Sequence, residues 1–325
     1  MFVASPPAAA PLRHDLHLVR AGRRSFTGSA EFLADADNRA RVGEYLADMG
    51  RPYGREVPAT PFGEPASPDL GHSYGEMAAA LIGSVVPADE PVDLLVLAFS
   101  VHDLRPGRQT AAYLSHVTPG EPMAFAVCDQ GSAAAFSGLR MIREYAASAA
   151  ITRALLVVVE QAALPYDSPA TLPLQHQAVA MLYCSELASD QPVGAGLGGD
   201  SAIQPVRVAG VRQHPGVPPG DVAVLAAADL AGLAAADLAG LAAGHQDVAL
   251  VLSDALAAVW TAPAASRVRV MPPGQPSTDV WWGLIGELTG DAGPDAPASL
   301  LVAADYDPQL RYLCLTAFGT GTLSR

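Results

Sequence analysis

Ser132 is the residue whose setting in this chain most clearly suits chemistry. It follows the turn Asp129-Gln130-Gly131, between an apolar run, Met123 to Val127, and a helix opened by the small residues Ser132 to Ala135. Leu139, Ile142 and Ala146 continue that helix on one face, and Ala154 to Val159 read as a second buried strand. A hydroxyl at such a junction stands beside free backbone N–H groups and the positive end of the helix dipole. Both stabilise negative charge, which suits an activated nucleophile. An N-cap is the alternative reading of the same residue, with the hydroxyl accepting a bond from the helix's own N–H groups.

The elements that must position Ser132 alternate between helix and strand. Tyr74 to Val85 reads as an amphipathic helix and Val92 to Ser100 as a strand. Arg108 to His116 reads as a helix that starts after Pro106-Gly107, with Thr110 near its N-terminus. This alternation means an α/β sheet. Further along, Asp247 to Leu252, Ala298 to Ala304 and Tyr312 to Phe318 read as buried strands, and the last closes on Gly319-Thr320-Gly321. Before Tyr74 the pattern is weaker. Asp15 to Arg20 alternates like a strand, Glu31 to Met49 fits helices broken near Asp37-Asn38, and Arg51 to Leu70 is a Pro-rich loop. The polar break Ser168 to Pro173 divides the chain into an N-terminal half, 1–168, and a C-terminal half, 169–325.

This order resembles the thiolase superfamily, and within it the ketoacyl-ACP synthase III branch. The resemblance rests on the strand Met123–Val127, Gly131-Ser132-Ala133-Ala134 and the strand Ala154–Glu160. The upstream strand Leu94–Ser100 with Asp103, and the closing Gly-x-Gly, add to it. It covers most of residues 75 to 321 in order, with weak identity and few identical motif letters. It implies an α/β fold of two duplicated halves stacked as αβαβα layers, dimeric through the strand beside Ser132. In the family a Cys accepts the acyl group where Ser132 stands; Cys128 is four residues too early to be that Cys. Where the family places its His, the strand ends in Ser253-Asp254-Ala255, and where it places Asn, Gly274-Gln275-Pro276 stands. Trp281 and Trp282 replace the small residues that usually follow.

The resemblance therefore implies catalytic positions held by Ser132, Ser253 and Gln275. In the family, His and Asn donate hydrogen bonds to the thioester carbonyl of a malonyl group and stabilise the enolate formed on decarboxylation. Gln275 retains a donor, whereas Ser253 cannot take up a positive charge. Claisen condensation is not expected. A serine nucleophile also needs a base. His176 lies where the family carries an Asp in a turn before a strand, and it, His102 and His116 are the candidates. A turn histidine bonded to backbone is the alternative for His176.

Two functions follow. One is acyl transfer through Ser132, from coenzyme A or a phosphopantetheinyl carrier protein acting as substrate, with no tightly bound cofactor. The other is a silent subunit like a chain-length factor, paired with an active ketosynthase, for which the bulky Trp281-Trp282 pair would speak. Arg20, Arg23 and Arg24 form the densest basic cluster, suited either to the phosphates of such a donor or to a solvated turn.

Composition excludes other classes. With 325 residues, half of them apolar and 16% charged, the chain can bury a large core. A net charge of −14 argues against nucleic-acid binding, which needs a basic face. Apolar runs are interrupted before they reach membrane-spanning length, and residues 1–12 lack the form of a signal peptide. Cys128, Cys184 and Cys314 are far apart without metal-ligand spacing, which predicts reduced thiols and a cytoplasmic setting. The Gly-rich segment 194–200 lacks the order of a nucleotide loop. Residues 227–242 repeat AADLAGLA twice, too short a unit for a solenoid.

Overall fold

The computed structural model describes residues 15–54, 56, 71–105, 107–148, 151–164, 172–185, 202–238, 247–264, 266–290 and 298–320. The N-terminal twelve residues, the Gly-rich segment 194–200, and most of the break at 168–173 and of the Pro-rich loop lie outside them. So does the end of the AADLAGLA repeat.

In chain order the elements are β1 (His17–Phe26), α1 (Glu31–Ala34), α2 (Ala36–Gly50), α3 (Tyr74–Val85), β2 (Leu94–Ala98) and α4 (Thr110–Val117). Next come β3 (Met123–Val127), α5 (Ala133–Ala147), β4 (Arg153–Glu160), β5 (His176–Cys184) and β6 (Ala202–His214). The chain closes with α6 (Pro219–Leu238), β7 (Val248–Leu252), α7 (Asp254–Ala257), β8 (Arg267–Val270), α8 (Asp279–Thr289), β9 (Leu300–Asp307) and β10 (Tyr312–Gly319). The strands expected around Ser132 form as read. The helical segment at 31–49 breaks two residues earlier than expected, at Asp35. The Asp35 carboxylate accepts from the N–H groups of Asp37 and Asn38 and so starts α2 there.

The ten strands are ordered β3-β2-β4-β5-β1-β6-β10-β9-β7-β8. Read from the two edges inward, each set of five has the same order, and β1 and β6 pair antiparallel where the sets meet. In both sets the two outer pairings are parallel, so strands and helices alternate there as βα units. The junction of the repeat falls between β5 and β6, after Cys184. The break expected at 168–173 separates β4 from β5 instead, and β5 groups with the first set.

Strand alternation builds the layers. Along β4, Ala154, Leu156 and Val158 face one core, and Leu155, Val157 and Val159 face another. The first core is central. It holds α5 and α8 together with inward residues from both strand sets, among them Val96, Met181, Val251 and Ala303. A second core lies under α3 and a third under α6 and α7. The layers therefore run helix, sheet, helix, sheet, helix. α5 touches β6 and β10 as well as its own set, and α8 touches β1.

Close approach depends on small residues. A Cβ on Gly138 of α5 would stand 2.9 Å from Leu156 Cδ1 and 3.1 Å from Val96 Cγ1, so the helix lies directly on β2 and β4. Trp281 fills the space beside α5, stacked on Phe136 with ring centroids 4.8 Å apart, and is fully buried. The helix α6 is long and apolar enough to cross a bilayer, yet Val222, Ala226, Leu230 and Leu233 pack it on the second strand set. The first AADLAGLA copy thus supplies core residues. All three cysteines are free thiols, Cys184 and Cys314 buried.

Replacing Trp281 by Ala is predicted to destabilise the protein by about 3–5 kcal/mol through cavity formation. Urea unfolding of the variant, with wild type as reference, measures it.

Candidate active site

The end of the sheet where β2, β3 and β4 stop opens into a cavity of about 530 Å³. Its lining includes Ser132, Ser253 and Gln275 together. These three residues are 22 or more positions apart in sequence, and the two halves of the fold contribute one side each. Ser132 closes the turn after β3. That turn carries two left-handed residues, Asp129 (φ 59°) and Gly131 (φ 53°). A side chain at Gly131 would also collide with Asp307, whose Oδ2 lies 2.0 Å from the Cβ position.

The hydroxyl of Ser132 makes no capping bond to α5. It donates instead to Asp305 Oδ2, on β9 of the other strand set. Asp305 is 4% exposed, and the Ser253 hydroxyl is its second side-chain partner. Ser253 in turn accepts from the Leu256 N–H and caps α7. Burial pushes the Asp305 carboxyl up to about 6, although both hydroxyl bonds favour the charged form. Asp279, the first residue of α8, is also raised well above the ordinary range, first by burial and then by the charge of Asp305.

Asp305 is the residue that sequence reasoning missed. It sits in the run Ala303-Ala304-Asp305-Tyr306, and a carboxylate inside a buried strand was the signal that could have found it.

The other expected residues fall differently. Gln275 Oε1 accepts from the Gln175 N–H, and its amide nitrogen donates to Glu160 (2.9 Å) and to the Gln175 carbonyl (3.1 Å). Its donor hydrogens are committed to the protein. Glu160, at the end of β4, also accepts from the Ser277 and Thr278 N–H groups and from the Thr278 hydroxyl, which fixes the start of α8. Burial raises Glu160 to about 7 despite these bonds.

His176 does not line the cavity. Gln177 faces inward and accepts from Thr278, so His176, one residue earlier, faces the opposite side of β5. There its ring fills the space beside Gly71, and its Nδ1 accepts from the Ala162 N–H. His102 and His116 are exposed and also absent from the lining.

The arginines expected at donor phosphates do not form a patch. Arg20 is buried and pairs with Glu90 at 3.7 Å. Arg23 donates to the Trp282 carbonyl and stacks on its ring, while Arg24 lies over Phe26. Adjacent residues of a strand point to opposite faces, which divides the cluster. Trp281 and Trp282 do not line the cavity either, and the space beside Ser132 stays open.

Among the described residues the lining contains no Lys, Arg or His, but six carboxyl side chains. An anionic malonyl group and its enolate meet an unfavourable field there. The geometry suits a reaction at a neutral carbonyl, with a serine nucleophile and a carboxylate base.

No known family profile matches the sequence, and no curated protein matches it. Solved structures do. The acyltransferase ChlB3 superposes with a TM-score of 0.51 at 17% identity, over 94% of this chain and 97% of its own. The ishigamide ketosynthase/chain length factor gives 0.56 at 12% identity, over 94% and 99%. A 3-oxoacyl-(acyl carrier protein) synthase III from Pseudomonas aeruginosa PAO1 gives 0.52 at 13%, over 94% and 98%. The chain has the thiolase-like fold, of the ketoacyl-ACP synthase III type.

Glu160→Ala leaves the Ser277 and Thr278 N–H groups and one Gln275 donor without their acceptor. A loss of about 2–4 kcal/mol is predicted in urea unfolding. The folded-state value of Glu160 lies above the ordinary 4.5. Its contribution to stability is therefore fully present below about pH 4.5 and is lost as pH rises through about 7. Unfolding between these limits should show stability falling with pH, less steeply in Glu160→Gln, where Asp103, Asp279 and Asp305 still act in that direction.

Proposed function

We propose that this protein is an acyltransferase that accepts an acyl group on Ser132 from a coenzyme A or carrier-protein thioester and passes it on without decarboxylative condensation. The observation that carries this reading is the hydrogen bond from the Ser132 hydroxyl to the buried Asp305 carboxylate at an open cavity. A remnant of a lost nucleophile has no need of a base aligned on it.

The chemistry uses these groups in order. Asp305 takes the Ser132 proton as the oxygen attacks the thioester carbonyl, and the N-terminal end of α5 favours the negative charge that develops. The carbon–sulfur bond breaks, and the leaving thiolate recovers the proton from Asp305. Ser253 holds the Asp305 carboxylate toward Ser132 through its own hydrogen bond. The acceptor then displaces Ser132 by the reverse sequence. Donor phosphates need cations, which this cavity lacks. Arg105 and Arg108 line a neighbouring cavity of about 380 Å³ that shares Tyr74 with it, and they are the cations we assign to the donor. Among the solved structures with this fold, ChlB3 is described as an acyltransferase, which supports the reading.

A second reading, a silent subunit paired with a ketosynthase, draws on one observation. The strand β3 is a sheet edge that exposes Met123, so a second thiolase-like chain could pair there. The same edge serves a homodimer of the enzyme.

Intact-protein mass spectrometry after incubation with a panel of acyl-coenzyme A and acyl-carrier thioesters tests the proposal. A covalent acyl adduct is expected on wild type and absent on Ser132→Ala. Folded wild type without an adduct from any donor would replace the transferase with the silent subunit. Asp305→Asn is expected to slow adduct formation by roughly 10²–10⁴. Because Asp305 must be ionised to act, the acylation rate should fall as pH drops through about 6.

A further inference from the structure

The acidity of the cavity is more than serine acylation requires. Asp129, Asp254, Asp279, Asp305, Asp307 and Glu160 line it, with no basic side chain among the lining residues. Most of these carboxylates are already occupied. Asp307 accepts from the N–H groups of Gln309 and Leu310, Glu160 holds the start of α8, and Asp305 holds Ser132 and Ser253. Asp254 and Asp129 are exposed, and among the buried carboxylates Asp279 is the exception. It is 4% exposed, yet among the described residues its side chain's only hydrogen bond is from the Val280 N–H to Oδ1. The second oxygen of this buried carboxylate is left to the cavity, next to the charge of Asp305.

A buried carboxylate with a free acceptor and a like charge beside it is costly unless a cation completes the site. Apolar groups frame the same space, among them Val101, Pro276, Pro308 and Leu310.

We infer that the cavity takes an acceptor bearing a protonated primary amine on an apolar body, with its ammonium group on Asp279 and Asp305, and that the transferred acyl group leaves as an amide. This rests on the reading of Ser132 as the acylated residue. The balance of the second half-reaction follows. Asp305 takes one proton from the ammonium group, and the neutral amine attacks the Ser132 ester carbonyl. The bond from that carbonyl to the Ser132 oxygen breaks, the oxygen takes the second proton from nitrogen, and Asp305 releases the first to water. An alcohol acceptor would gain nothing from the second Asp279 oxygen beyond one neutral hydrogen bond, whereas an ammonium group gains charge-assisted bonds to two carboxylates.

Calorimetric titration of the full chain at neutral pH and low salt tests this, with n-hexylammonium and its neutral isostere n-hexanol as probes. Wild type and Ser132→Ala are expected to bind the ammonium probe at least about tenfold more tightly than the alcohol. In Asp279→Asn, which keeps the Oδ1 acceptor for Val280, the ammonium probe should weaken about tenfold and the alcohol should not change. Equal binding of the two probes by wild type would overturn the inference, as would ammonium binding that Asp279→Asn leaves intact. The comparison within wild type stands even if that variant fails to fold. Because titration needs no acyl-enzyme, the two readings fail separately. An acyl adduct without amine binding removes this inference alone, and amine binding without an adduct removes the transferase and leaves a cation site.

Discussion

Everything in this site depends on how a buried carboxylate is satisfied without a cation. Asp305 sits in the middle of a thiolase-like sandwich, where an uncompensated charge is expensive. Two hydroxyls supply its side-chain bonds, one from each half of the fold: Ser132 at the start of α5 and Ser253 at the end of β7. In the proposed reaction, the bond that keeps Asp305 tolerable in the core also aligns Ser132 for deprotonation. Structure and chemistry use the same contact, so the position of α5 relative to β9 sets both.

The duplicated topology makes that contact possible. In each set the third strand in chain order, β3 or β8, leads into a central helix, α5 or α8, and the sets meet through β1 and β6. α5 and α8 therefore lie side by side with their N-termini at one cavity. Glu160 holds the start of α8 just as Asp305 holds Ser132 at the start of α5. Two acidic residues from strand ends thus brace the two helices that define the cavity, and Asp279 adds a third carboxylate between them. The outcome is a thiolase-like fold whose cavity is acidic and, among the described residues, lined by no imidazole. Chemistry that needs an anion in the cavity is disfavoured, and chemistry at a neutral carbonyl or with a cationic partner is favoured.

Much of this was legible in the sequence, because local patterns encode it. The run Met123–Val127, the glycine turn and the small residues after Ser132 specify strand, turn and close-packed helix. The positions of Ser253 and Gln275 at the cavity were reachable through the family resemblance. The base was not. The choice of His176 failed on a single residue of strand parity, which places Gln177 inward and the histidine on the outer face. Gln275 was legible as a position but not as a role, since its amide hydrogens are taken by Glu160 and a backbone carbonyl. Likewise, Trp281 reads as an obstruction in sequence and packs on Phe136 in space. Long-range partnering decides each of these, and sequence spacing carries no record of it.

The central claim is that Asp305 makes Ser132 nucleophilic. Labelling with a fluorophosphonate, which reacts with activated serines whatever their natural acyl donor, tests it most directly when followed by peptide mapping. The account predicts a label on Ser132 in wild type, at a rate that falls as pH drops through about 6 and falls sharply in Asp305→Asn. Folded wild type that leaves Ser132 unlabelled, or labelling that is indifferent to Asp305→Asn, would contradict it.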